Sequence, residues 1–115
     1  MQITLLGTGG AEGFPGLFCR CDVCVKARAL GGKDLRTRTT ALVDSVLKID
    51  LPPDTLCHAL SGGLDMTAVR HLLFTHDHDD HYAPRELQYL AGMFVNGPAP
   101  APLDICAPSH MLEHL

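Results

Sequence analysis

The stretch Thr75 to His81, THDHDDH, constrains this chain more than any other. It sets His76, His78, Asp80 and His81 in the pattern H-x-H-x-D-H directly behind the apolar run Val69 to Phe74. That run is punctuated only by Arg70 and His71 and reads as a buried strand. Two histidines one residue apart at a strand's end can converge on one ion, because the chain is leaving the sheet and can curl. Asp80 and His81 can then face a second ion from the same loop. Imidazole and carboxylate are donors that Zn²⁺ takes at about 2.0–2.2 Å. Two such ions about 3.5–4 Å apart can share an activated water and clamp the attacking and leaving oxygens. A polar surface loop is the plain alternative, but three histidines at this spacing behind an apolar strand speak against it. Asp77 and Asp79 fall between the donors and are expected to face solvent or to stand behind the ligands.

A second cluster, Cys19-x-Cys21-x-x-Cys24, offers three thiolates in six residues, out of five cysteines in all. Met1 leads straight into Gln2-Ile3-Thr4-Leu5-Leu6 with no basic leader and no long apolar stretch, so a cytoplasmic, reducing setting is expected. There an odd cysteine count favours thiolate metal ligation over disulfides, and the trio is expected to hold a structural zinc that needs a fourth ligand. A redox Cys-x-x-Cys pair and three unrelated thiols are the alternatives. Cys57 and Cys106 sit in apolar surroundings and are expected to be small buried hydrophobes.

At 115 residues, 46% hydrophobic and 19% charged, the chain suits one soluble domain with a modest core. Eleven glycines and eight prolines predict short elements joined by frequent turns. A formal charge of −4 without a Lys/Arg run gives no electrostatic footprint for nucleic acid. No segment approaches the ~18 consecutive apolar residues of a membrane span.

Ile3 to Leu6 reads as a strand ending in the turn Gly7-Thr8-Gly9-Gly10. That turn lacks both the P-loop lysine and the Rossmann spacing, and so reads as a turn beside the metal pocket. A short helix is expected around Val25 to Leu30, stopped by Gly31-Gly32. Thr37 to Asp44 and Ser45 to Asp50 read as strands. Pro52-Pro53-Asp54 starts a helix through about Leu60, and Pro84 starts another with Leu87, Leu90 and Ala91 on one face. After a Gly/Pro/Ala linker, Leu103 to Cys106 reads as a strand. Ser109 is placed to cap a last helix reaching Leu115, with His110 and His114 on one solvated face.

A strand ending in Thr-His-x-His-x-Asp-His resembles the signature loop of the metallo-β-lactamase superfamily. His78, where the diiron oxidoreductase branch commonly has Glu, resembles the hydrolytic branch. The Gly7–Gly10 turn, the cysteine trio and Arg36-Thr37-Arg38-Thr39-Thr40 further resemble the PhnP-type phosphodiesterases, accessory enzymes of carbon–phosphorus lyase pathways. The resemblance implies an α/β (α+β) fold: the N-terminal half of an αββα sandwich, with a mixed sheet and flanking helices. Residues 1–115 would form one truncated domain with a zinc loop at about 17–32. It also implies that His76 and His78 bind a first metal and Asp80 and His81 a second, with Asp80 in the catalytic site. A structural zinc would sit on Cys19, Cys21, Cys24 and a distant histidine. The cofactor is then zinc, two catalytic ions and one structural, with Mn or Fe as alternatives at the catalytic pair. Tyr82 to Leu87 departs from the Gly-Leu that family members often carry after the loop. The later His, bridging Asp and final His of the family have no counterpart after His81.

The function expected is metal-dependent hydrolysis of a small or cyclic phosphodiester, with metal-bound hydroxide as nucleophile. Arg36 and Arg38 are candidates for the substrate phosphate, and equally for solvated edge charges. With four ligands for two ions, the chain is expected to be weakly active or inactive alone. An uncovered apolar side predicts a homodimer or swapped assembly. A tRNA 3′-processing nuclease and a non-catalytic zinc-binding module are the alternatives.

Overall fold

The computed structural model describes residues 1–115. Five short strands form one sheet in sequence order: β1 (Ile3–Gly7), β2 (Thr40–Val43), β3 (Leu47–Ile49), β4 (His71–Leu73) and β5 (Asp104–Cys106). β1, β2 and β3 pair antiparallel, whereas β3–β4 and β4–β5 are parallel. Parallel neighbours need a crossover, and the one between β3 and β4 carries helix α2 (Thr55–Leu60). Helices α1 (Asp22–Leu30) and α3 (Ser109–Leu112) complete the set, with 3-10 turns at Gly32–Asp34, Pro84–Leu90 and Gly92–Phe94. The fold is thus the mixed sheet with flanking helices that the sequence predicts. No helix is long and apolar enough to cross a membrane.

Several boundaries differ from expectation. The strand expected from Thr37 begins only at Thr40, because the backbone before it is engaged elsewhere. Gly9 N donates to Thr37 O at 2.6 Å, and Arg36 exchanges bonds with Phe14. A Cβ at Gly7 would collide with the Arg38 carbonyl oxygen, so the Gly-Thr-Gly-Gly turn permits close backbone approach. α1 starts at Asp22, with Cys21 at its N-cap, rather than near Val25. The segment after Pro84 forms a 3-10 helix with no buried residue. Only Leu87 of this segment packs against the core, and so partial an apolar face does little to favour longer α-helical propagation. Ser109 is not the cap of the last helix: Pro108 holds that position, and the helix ends at Leu112.

Residues in register share a face of the sheet. On the covered face lie Leu42, Lys48 and Leu72, all buried. Leu51, Leu72, Phe74 and Met111 form one apolar cluster there, and Leu42, Leu64 and Val69 a second. The opposite face carries Ile3, Leu5, Ala41, Val43, Leu47, Ile49, Leu73 and Cys106, and nothing buries it. Ile3 is 58% and Leu5 67% exposed. Cys57 and Cys106 are exposed, contrary to the expectation of buried thiols, because α2 turns Cys57 outward and Cys106 lies on this open face.

The β2–β3 hairpin turns through Asp44 and Ser45, whose φ values of 48° and 61° are both left-handed. The Asp44 carboxylate accepts the Gln2 amide at 2.6 Å, tying this turn to β1.

Candidate metal centre

Because β3 and β4 are parallel, their C-terminal ends lie side by side, the usual place for a site in such sheets. Asp50 follows β3 and Thr75 follows β4 at that edge. Asp50 is 3% exposed and left-handed at φ 62°, and its N–H donates to Leu73 O at 2.8 Å. Its Oδ1 accepts the Thr75 amide at 2.8 Å, and the Thr75 hydroxyl lies 2.8 Å from Oδ2. Oδ2 also lies 2.7 Å from His81 Nδ1. One buried carboxylate therefore joins the ends of both strands to the fourth residue of the motif.

This network fixes tautomers by elimination. A carboxylate only accepts, so His81 must carry its proton on Nδ1 and leave Nε2 as a lone pair. The Thr75 hydroxyl spends its single proton on Asp50. Its oxygen, 2.9 Å from His76 Nδ1, can then only accept, so His76 is likewise Nδ1–H with Nε2 free. Carboxylates behind imidazoles orient metal-binding histidines in this way. Asp50 was not singled out in the sequence. Its signal was faint: an acid closing a strand, at the same edge as the motif.

The loop itself curls back, with His81 N and Tyr82 N both donating to His78 O at 2.9 Å. That turn gathers the rings: His76 and His78 meet edge to face with centroids 4.7 Å apart, and His76 and His81 lie tilted at 4.2 Å. His81 Nε2 comes within 3.2 Å of Asp80 Oδ2. With Nδ1–H committed to Asp50, two acceptors face each other there. A metal ion, or a second proton on His81, resolves that contact. The donor chemistry thus fits a metal at His76, His78, Asp80 and His81. Their ligand atoms are spread more widely than those of the cysteines, where all three lie within 4.8 Å of one another. Asp77 and Asp79 are exposed, as expected. His110 Nε2 approaches Asp77 Oδ2 to 3.6 Å, which brings α3 beside the loop without joining the donors.

Arg38 lines the same hollow as Asp77, His78 and Asp80. Its Nη1 pairs with Asp54 at 3.0 Å and its Nε donates to Ala11 O at 2.8 Å, leaving Nη2 for another partner. Arg36 is exposed and bonded through Nη1 to Thr8 Oγ1 at 2.9 Å, and it does not line the hollow.

The cysteine trio converges because Cys21 is the N-cap and Cys24 lies three residues on, in the first turn of α1. Cys19 Sγ is 3.4 Å from Cys21 Sγ. The Cys24 backbone N–H, then Cys19, lower the Cys21 thiol from 9.0 to about 7. A helix N-terminus favours thiolate in the same sense. A fourth ligand is not among the groups that converge here.

Two buried basic groups lie behind the site. Lys48 is fully buried, and burial lowers its amine from 10.5 to about 8 against the pull of Asp50. His58 is 3% exposed, its Nε2 2.7 Å from Thr37 Oγ1 and its Nδ1 without a partner. Burial first, then Lys48, hold its pKa low.

No family model matches the chain. It is 38% identical over 85 residues to an octanoyltransferase of Porphyromonas gingivalis, a match covering 70% of this chain and 16% of that protein. Among solved structures it is similar to a diphosphatase from the PhnP family. The TM-score is 0.68 at 23% identity, over 97% of this chain and 46% of that one. It is also similar to Zn²⁺-bound PqqB from Methylobacterium extorquens, with a TM-score of 0.61 at 24% identity, over 70% and 31% of the two chains. The chain thus spans about a sixth of the curated relative and less than half of either structure. The backbone described above is that of a metallo-β-lactamase-fold segment.

Proposed function

We propose that this chain carries the first metal-binding half of a hydrolase site, with a small or cyclic phosphodiester as the substrate class. The observation that carries this reading is the paired arrangement of His81 Nε2 and Asp80 Oδ2, 3.2 Å apart and both acceptors. Asp50 sets His76 and His81 with Nε2 outward, and Asp80 completes the donor set. When bound, the ions supply an activated water and Lewis-acid stabilisation of the phosphoryl oxygens. Arg38, which lines the hollow, is the guanidinium proposed to orient a phosphate, through the Nη2 that its bonds to Asp54 and Ala11 leave over. Zinc is the ion proposed for both the loop and the cysteines, and the likeness to Zn²⁺-bound PqqB and the convergence of the three thiols support that choice. Four loop donors for two ions is fewer than the about three per catalytic zinc. Turnover by these residues alone is therefore expected to be low.

The test is metal content per chain, with bis(4-nitrophenyl) phosphate hydrolysis measured alongside. Cys21→Ala should lose one zinc and keep the loop metal, whereas His76→Ala should lose loop metal and any hydrolysis. Unchanged metal content in both variants would sink the assignment.

A second reading rests on the tighter convergence of the thiols: a non-catalytic zinc module, with metal only on Cys19, Cys21 and Cys24. Metal retained by His76→Ala and lost entirely by Cys21→Ala would select it. The open sheet face supports association in either case. Five strands at about 4.8 Å spacing and three to five residues of about 3.3 Å give a footprint of ~300 Å². A standard interface takes about 800 Å² per partner. A homodimer on this face alone would therefore be weak, and an assembly that also exchanges elements is the stronger form. Sedimentation across a concentration series reads the outcome.

A further inference from the structure

We infer that Lys48 is a positioning residue for the metal loop, acting through the backbone of Asp50 although it touches none of the proposed ligands. Its Nζ donates to Asp50 O at 2.6 Å and to Thr40 Oγ1 at 2.7 Å. The Thr40 hydroxyl itself lies 2.6 Å from Ile49 O and 3.1 Å from Asp50 O. On the other side, the Asp50 N–H is held by Leu73 O at 2.8 Å. Both peptide groups of Asp50 are thereby clamped, in a left-handed conformation at φ 62° that a non-glycine residue does not hold for free. Rotation toward extended backbone would swing the carboxylate away from Thr75 and His81 and release both tautomers.

The position of Lys48 makes this arrangement costly. In the sheet it stands in register between Leu42 and Leu72, both buried and apolar. A leucine or methionine would pack there without desolvating an ammonium. Its two partners are a carbonyl and a hydroxyl, so no carboxylate bonds the ammonium, and the nearby Asp50 charge offsets the burial only in part. What the lysine supplies, and an apolar residue cannot, is a donor on the Asp50 carbonyl.

The inference rests on the metal reading for one arm of its test only. The first arm is nitrogen-15 NMR of the histidine rings in metal-free protein. Wild type should show His81 as the Nδ1–H tautomer, and Lys48→Met should shift it toward Nε2–H. Lys48→Leu, which likewise lacks a donor, is read in the same way should the methionine variant not fold. The second arm titrates Mn²⁺, monitored by electron paramagnetic resonance, because its preference for oxygen and nitrogen donors keeps it off the thiols. Lys48→Met should weaken loop binding about tenfold, at the lower end of what outer partners of metal ligands contribute. It should have no further effect in an Asp50→Asn background, and the unfolding midpoint should stay or rise. An unchanged His81 tautomer, or an equal tenfold loss on top of Asp50→Asn, would overturn the inference. If wild type takes up no Mn²⁺ at the loop, the functional reading fails, and the tautomer measurement alone decides the role of Lys48.

Discussion

Asp50→Asn is the most discriminating single perturbation of the site. The substitution keeps size and shape but turns one acceptor oxygen into an NH₂ donor. If the amide oxygen stays toward the Thr75 N–H, 2.8 Å from Oδ1, the NH₂ meets His81 Nδ1, 2.7 Å from Oδ2. Two donors cannot face each other, so His81 must move its proton to Nε2, the atom 3.2 Å from Asp80. That removes the lone pair a metal would take. Loss of such an orienting partner weakens metal affinity about 10–100-fold, or ~1.4–2.8 kcal/mol. The apo-protein should also lose about 1–3 kcal/mol, because Asp50 is 3% exposed and its neighbours are left poorly paired. Zinc or Mn²⁺ titration with a competing chelator measures the first quantity and urea unfolding the second. Unchanged affinity together with reduced stability would show that Asp50 merely ties β3 to β4, and the tautomer argument would be wrong.

Lys48 makes a pH-dependent contribution of defined sign. Its folded pKa of about 8 lies below 10.5, so the unfolded chain binds more protons between those values and stability rises with pH there. The full penalty is present below pH 8, and at about 1.36 kcal/mol per pH unit it amounts to ~3 kcal/mol. Wild type should therefore gain on Lys48→Met by roughly that amount from pH 7 to pH 10.5 in urea unfolding, and parallel profiles would refute it. Leu72→Ala should cost about 2–5 kcal/mol by cavity formation, since Leu72 is fully buried at the centre of the sheet; a loss under 1 kcal/mol in thermal unfolding would contradict the packing described. Cys24→Ala should abolish zinc binding at the thiol trio while leaving Mn²⁺ uptake at the loop intact. Loss of both would mean that the two sites are not independent.

The motif and its placement were legible because they are local: a strand signal followed at once by donors at fixed spacing. The cysteine trio was legible for the same reason, and helix α1 starting at its N-cap explains why the spacing converges. Asp50 was not, because its partners Thr75 and His81 are 25 and 31 residues away and meet it only through the parallel β3–β4 pairing. Burial of Lys48 was equally hidden. Leu47, Lys48 and Ile49 alternate as a half-exposed strand should, and that pattern points the lysine outward. The register instead places Leu47 and Ile49 on the uncovered face and Lys48 inside. Cys106 was misjudged by the same logic, since apolar neighbours in sequence did not mean a covered face in space.

The Asp44–Ser45 turn acquires a different significance from this inversion. Sliding β3 by one residue against β2 would exchange the two faces, moving Leu47 and Ile49 into the helix-covered layer and Lys48 into solvent. Such a pairing would bury more hydrocarbon and no charge, so for this hairpin alone it is the less frustrated arrangement. Two consecutive left-handed residues, anchored through the Asp44 carboxylate to Gln2, fix the loop length and with it the register. The hairpin is therefore a point where the chain chooses between a greasier core and an aligned Asp50. A few atoms at a solvent-exposed bend, at the far end of β3 from the histidines, hold it to the second choice.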